Sequence, residues 1–248
     1  MNGLVLHCGA KSATREQVFA VPTPASTESW VPVPHGNILE NVQAQLGRAG
    51  MSVMQEAHGL THGGNRYFGL LEMRQDGGDF GIVVGVRNSH DKTFPAALVL
   101  GARVFVCDNL SFCGEVKLAR KHTTNILRDL PQVIGRAVGL LGDLRTSQER
   151  RFDAYRNTEL SVPAAHDLVI QAVDSRVIPV TRIPDVLQEW REPRYPEFAG
   201  RNVWSLWNGF TEVLKGNLAE LPKRTQALHG VMDAACRLVA ETPVAMAV

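Results

Sequence analysis

Residues 66–92 read RYFGLLEMRQDGGDFGIVVGVRNSHDK, and this stretch decides the fold. Two runs rich in aromatic and β-branched residues, Tyr67 to Arg74 and Phe80 to Arg87, flank the turn formers Gln75-Asp76-Gly77-Gly78. Such residues suit a half-buried pleated surface, and an Asp-Gly-Gly connection lets the chain reverse tightly. Upstream, Ser52 to His58 is a third strand candidate, set off by the loop Thr61-His62-Gly63-Gly64-Asn65. An antiparallel meander follows. Downstream, Ala96 to Leu100 suits a short helix or a strand, while Val104 to Cys107 and Glu115 to Ala119 read as strands. The expectation is a sheet of five or six strands.

After Thr123 the apolar period lengthens. Leu127, Leu130, Ile134, Ala137 or Val138, Leu141 and Leu144 recur at steps of three and four, which predicts a helix with one buried stripe, kinked or interrupted at Pro131. Helical patterns continue over Gln148 to Glu159, Ala164 to Asp174, Pro184 to Trp190, Val203 to Leu214 and Lys223 to Ala240. Strands followed by helices imply an α+β fold, with an antiparallel sheet in the N-terminal half and a mostly helical C-terminal half. Val21-Pro22-Thr23-Pro24 and Val31-Pro32-Val33-Pro34 disfavour helix, so residues 1–36 read as an extended lead-in. Asn37 is placed to cap a short helix with Ile38, Leu39, Val42 and Leu46 on its apolar face and Gly47 and Gly50 at its end. Residues 37–248 then form a single α+β domain, sheet-rich over 51–122 and helix-rich over 123–248. No internal repeat or Gly/Ser-rich linker divides it further.

Composition narrows the function classes. A 44% hydrophobic and 21% charged chain is ordinary for a globular protein, and its apolar runs fall well short of the roughly 20 residues that a membrane-spanning helix needs. No membrane partner is expected. Leu4-Val5-Leu6 is too short an apolar run, without a basic start, for a secretory signal, so the expected location is the cytoplasm. Cys8, Cys107, Cys113 and Cys236 show no C-x-x-C spacing and suit reduced thiols. The net charge of +1 hides a basic centre, since residues 115–151 carry 8 Lys/Arg against 4 Asp/Glu. A local excess of cations attracts polyanions, although a solvated helix face has the same composition.

Two segments carry the candidate site. Arg87-Asn88-Ser89-His90-Asp91-Lys92 places a guanidinium, an amide, a hydroxyl, an imidazole and a carboxylate at one strand exit, a set that can hold a phosphate or a base edge. A plain turn, with Asn88, Ser89 and Asp91 bonding nearby backbone, is the competing reading. Lys117, Arg120 and Lys121 form a basic run ahead of Thr123 and Thr124, which can cap a helix whose first amides favour an anion. Arg128, seven residues beyond Lys121, extends that edge. The nucleic-acid contacts expected are therefore Arg87, Asn88, His90, Lys92, Lys117, Arg120, Lys121 and Arg128.

Other chemistries have less support. His58 and His62 are four apart but lie among Gly59, Gly63 and Gly64, and Cys107 and Cys113 are too far apart for a zinc knuckle, so no metal site is expected. Cys107 beside Asp108 and Asn109, with His90 or His122, supplies residue types for a thiol enzyme without its pattern. No cofactor is expected, since GxSxG, Walker and dinucleotide fingerprints are absent. Trp204, Trp207 and Phe210, at helical spacing, read as core before they read as a stacking platform.

Tyr67-Phe68-Gly69-Leu70, Val84 to Lys92 and Val104 to Leu110 resemble the domain-of-unknown-function 932 group of phage- and plasmid-like proteins, and the likeness extends over Trp204 to Lys215 and Leu221 to Gly230. The resemblance implies an association with mobile elements and brings no catalytic residues with it. The leading expectation is a non-enzymatic nucleic-acid-binding protein, single strands favoured, for which a strand-annealing or accessory role would fit, with a second copy of the chain as a candidate partner. The alternatives are a metal-dependent enzyme acting on nucleic acid or a nucleotide through His90 and Asp91, and a protein-interaction or inhibitor module.

Overall fold

The computed structural model describes residues 10–73, 80–104, 110–215 and 220–238, with residues 103–104 and 110–118 described by their backbone alone. Strands β1 (Lys11–Ala13), β2 (Val53–Thr61), β3 (Arg66–Met73), β4 (Phe80–Ser89), β5 (Ala96–Val104) and β6 (Leu110–Arg120) pair in chain order, each antiparallel to the next. The meander read from the sequence is thus present, and β1, drawn from the lead-in, adds to its edge. Ala96 to Leu100 is strand rather than helix, continuous to Val104. The Gln75 to Gly78 turn, Cys8 and Cys107 lie outside the described residues, as do the side chains of Cys113 and Lys117.

Register sorts the side chains onto two faces. Tyr67 lies opposite Leu60 and Asn88, Leu71 opposite Val84, and Val84 opposite Leu100, so alternation puts these residues on one side. Helix α2 (His35–Arg48) packs Ile38, Leu39, Val42 and Leu46 into the core of that side. It begins two residues before Asn37, with His35 and Gly36 themselves buried, and Pro34 rather than Asn37 occupies the cap position. The lead-in is more structured than an extended segment: Thr14 caps a short helix, α1 (Arg15–Phe19), through a reciprocal bond with Gln17, and irregular chain then runs to α2.

Helix α3 (Ile126–Gly139) passes through Pro131 without ending there; the break comes at Leu140, before α4 (Leu141–Asn157). Pro131 sits in the second turn, where the missing N–H costs one bond near the helix start. The buried stripe is Ile126, Leu130, Val133, Ile134, Ala137 and Val138, whereas Leu127 is 52% exposed, so the phase is one residue off the expected one at the start. Then follow α5 (Val162–Asp174), α6 (Ile183–Arg191), α7 (Val203–Val213) and α8 (Leu221–Ala235). Ser161 caps α5 and Asn202 caps α7 in a reciprocal pair with Ser205.

Aromatic packing closes the helical half. Trp204 and Trp207 stack at 5.1 Å, Phe152 of α4 lies against both, and Phe80 of β4 meets Phe152 edge-on, joining sheet to helices. Beside them Asp233 of α8 accepts from Tyr155 (2.7 Å) and Arg151 (3.0 Å) of α4, so the buried carboxylate is neutralised and hydrogen-bonded. The tryptophans are core, as their spacing implied. Replacing fully buried Trp207 with Ala should lower stability by about 3–5 kcal/mol, read as a shift of the denaturant midpoint at unchanged slope. A parent-like midpoint would show that this core does not hold the domain.

Candidate functional site

One end of the meander collects the start of β3, the end of β4, the start of β5 and the end of β6, as antiparallel pairing requires. The two segments singled out in the sequence, 87–92 and 117–122, meet there. What they build is a buried junction on the helix side of the sheet and an aromatic and basic patch on the other.

The junction centres on Asn88, which is fully buried. Its Nδ2 donates to the Val33 carbonyl (2.7 Å) and to His35 Nδ1 (2.9 Å), and its Oδ1 accepts from His122 Nε2 (2.7 Å). The Val33 carbonyl also accepts from His90 Nε2 at 2.9 Å. His35 Nε2 donates to the Gly64 carbonyl (2.9 Å), so both of its ring nitrogens are committed. An amide NH2 only donates, so His35 Nδ1 must be unprotonated and the ring neutral. Burial, opposed by the Gly64 carbonyl and reinforced by His90, brings the His35 pKa down to about 4. The His122 pKa is lowered by burial and by His90. His90 stacks on His35 with centroids 3.9 Å apart.

Behind this junction the Tyr67 hydroxyl bonds His58 Nδ1 at 3.0 Å, and His58 Nε2 lies 3.3 Å from Glu56. The Tyr67 ring can lie along the sheet because its neighbour on that face, Gly69, lacks a side chain; a Cβ there would clash with the hydroxyl. Burial, with the charge of Glu56, raises the Tyr67 phenol, which stays protonated. Arg15 and Gln43 hold Glu56 from the other side. A hydroxyl, an imidazole and a carboxylate in series resemble a nucleophilic relay, but Tyr67 is fully buried.

The outer face differs. Phe68 of β3 and Phe94 of the β4–β5 loop are in ring contact at 5.5 Å, and the exposed Arg87 guanidinium lies 5.2 Å over Phe94. Phe68, Arg87, Ala97 and Ala119 occupy one row across four strands, and the small residues leave its floor low. The loop carrying Phe94 is pinned by Ser89 Oγ donating to its carbonyl (2.7 Å), by His90 N–H on Asn65 (2.7 Å) and by Arg66 on Asp91 (2.6 Å). Burial acts to raise the Asp91 pKa, but the bonds from Thr93 and Arg66 outweigh it and bring it down to about 2.

The expected contacts therefore separate. Arg87 is exposed, and Lys92, at φ +62°, holds its ammonium 4.8 Å over Trp30. Asn88 and His90 are interior groups, which corrects their reading as surface contacts: the amide and the His90 Nε2 are spent on Val33, His35 and His122. Arg120 (2.5 Å) and Arg128 (2.9 Å) both clasp Asp129. Lys121 is exposed and makes no ion pair among the described residues. The backbone of Lys117 pairs with Val99. The sequence reading missed His35, Tyr67, Phe68 and Phe94. Period-two alternation carried a signal for Phe68, which shares the outward parity of Arg87.

Comparison with protein families, with curated proteins and with solved structures finds no match for this chain. Among the described residues, no helix is long and apolar enough to cross a membrane, and no group of three His, Cys, Asp or Glu side chains is placed to hold a metal.

Asn88→Ala should orphan His122 Nε2 and His35 Nδ1, each at about 1–3 kcal/mol, for a total loss of about 2–6 kcal/mol in denaturant unfolding. A loss below about 1 kcal/mol would mean the junction is not closed as described.

Proposed function

We propose that this protein binds single-stranded nucleic acid on the outer face of its sheet. The observation that carries this reading is the Phe68–Phe94–Arg87 cluster, two half-buried rings tilted against each other with an exposed guanidinium over Phe94. Every base has a π-face that can stack on an aromatic ring or an Arg plane, so such a platform accepts strands with little regard to sequence. A duplex keeps its bases stacked on one another and offers no free face. Lys121 supplies phosphate attraction beside the platform, with Lys117 two residues beyond Ala119 in the strand that flanks it.

The likeness to the domain-of-unknown-function 932 group, with its mobile-element setting, belongs to this proposal, as does a cytoplasmic place of action. The enzymatic alternative has less geometric support. His90 is turned onto Val33 inside the sheet, while the Asp91 carboxylate is held by Arg66 and Thr93, so the two do not face a common reactant.

Fluorescence anisotropy with labelled single-stranded DNA and RNA across a salt series tests the proposal. Phe94→Ala and Phe68→Ala should each weaken binding by about 1–3 kcal/mol at every sequence tried. Lys121→Ala should leave the fold intact and reduce the salt slope by about one phosphate contact. Arg120→Ala should act on stability through its clasp of Asp129 instead. Absence of binding by the parent, or binding indifferent to Phe94 and Arg87, would reject the platform; capture of a duplex in preference to a single strand would do the same.

A further inference from the structure

Residues 30–34 and the 90–95 loop are held to the sheet, and to each other, by hydrogen bonds of imidazole rings. Val33 accepts from both Asn88 and His90, Val31 N–H donates to the His122 carbonyl (3.1 Å), and the Trp30 ring meets the His122 ring edge-on at 6.3 Å. A second proton on His35 would replace the Nδ1 acceptor by a donor facing the Asn88 amide NH2, turning a 2.9 Å hydrogen bond into a donor–donor contact. It would also charge a ring lying flat on His90, with planes 4° apart.

From this geometry we propose that the Asn88 junction is an acid-sensitive latch: proton uptake by His35 or His122 releases residues 30–34 and the 90–95 loop while the helical half stays folded. The groups around the three rings offer an added proton little compensation. From β3 comes the neutral Tyr67 phenol, with His58 of β2 behind it. On the loop, Lys92 sits over Trp30, and Asp91 is spent on Arg66 and Thr93. Glu56 of β2 is spent on Arg15, Gln43 and His58. At the end of β6, Arg120 is paired with Asp129 of α3. Among the described residues, no carboxylate bonds any of the three rings.

The direction of the effect follows from proton counting. Opened, His35 and His122 titrate near the ordinary value of 6.5, while in the closed junction His35 is held down to about 4 and His122 is held lower than in water. The opened form therefore binds more protons in the interval. The closed latch has its full advantage above about pH 6.5 and loses it as pH falls toward 4, by up to about tenfold per pH unit for each histidine released. This holds whatever the outer face binds.

Hydrogen exchange on the full chain, followed from about pH 8 to about 4.5 and corrected for intrinsic rates, reads the latch directly. The Val31 and His90 amides, bonded to His122 and Asn65, report on the two released segments, and the amides of Trp207 to Phe210 report on α7. Below about pH 6.5, protection at Val31 and His90 should fall by up to about tenfold per unit per histidine while α7 keeps its own. His35→Gln can retain both bonds through an uncharged amide, so the His35→Gln/His122→Gln chain should stay protected at Val31 over the same range. Constant protection at Val31 and His90 in the parent overturns the latch, and so does loss in α7 in step with them, which is global acid unfolding. An undiminished acid response in the folded double variant also overturns it. If that variant does not fold, the parent's comparison of Val31 with α7 decides alone.

Discussion

A fully buried primary amide looks for its hydrogen bonds within the protein, and Asn88 finds its partners 55, 53 and 34 residues away in the chain. That requirement organises this end of the fold. Val33 comes from the irregular chain before α2, His35 opens α2 itself, and His122 follows the last strand. An apolar side chain at the same position would fill the space but would not specify which segments meet over it. A closed polar junction is satisfied in one arrangement, so it selects this docking against neighbouring ones.

The junction also bears on the platform proposed for the opposite face. Alternation along β4 sends Ile82, Val84, Val86 and Asn88 toward the helices and Arg87 outward, so the inward amide and the outward guanidinium are consecutive residues on one strand. Stacking a base requires a rigid surface, because loop ordering on binding would consume much of the gain. His90 supplies that rigidity by anchoring the Phe94 loop from inside the sheet.

Much of the architecture was legible because it rests on local pattern. Among the described residues, the strand runs, the Thr61 to Asn65 connection and the three-and-four spacing after Thr123 predict elements that are present, and the Trp204–Trp207 spacing implied their burial. Phase was harder. Near Pro131 both Ile126 and Leu127 suit a buried stripe, and the packing of α3 on α2 and β6, which a helical period cannot encode, goes with burial of Ile126. The polar cluster Arg87 to Lys92 was visible, but its division between interior and surface was not drawn, although period two places Asn88 in line with Val84 and Val86. Treating six polar residues as one loop hid that strand β4 runs on to Ser89.

What no local pattern contained is the set of partners. His35 is the first residue of a helix and Val33 contributes only a carbonyl, so neither carries a signature that points to Asn88. The same holds for Phe94, which reads as an apolar residue before a proline until Ser89 folds the loop back and sets its ring beside Phe68. Long-range pairing thus converts ordinary residues into a site, and it does so in a consistent order. The sheet fixes parity, parity buries Asn88, the buried amide recruits His35 and His122, and the histidine junction holds the loop that carries the half-buried Phe94 ring. Charge enters last, through Arg87 and Lys121, on a surface whose shape neutral groups have already determined.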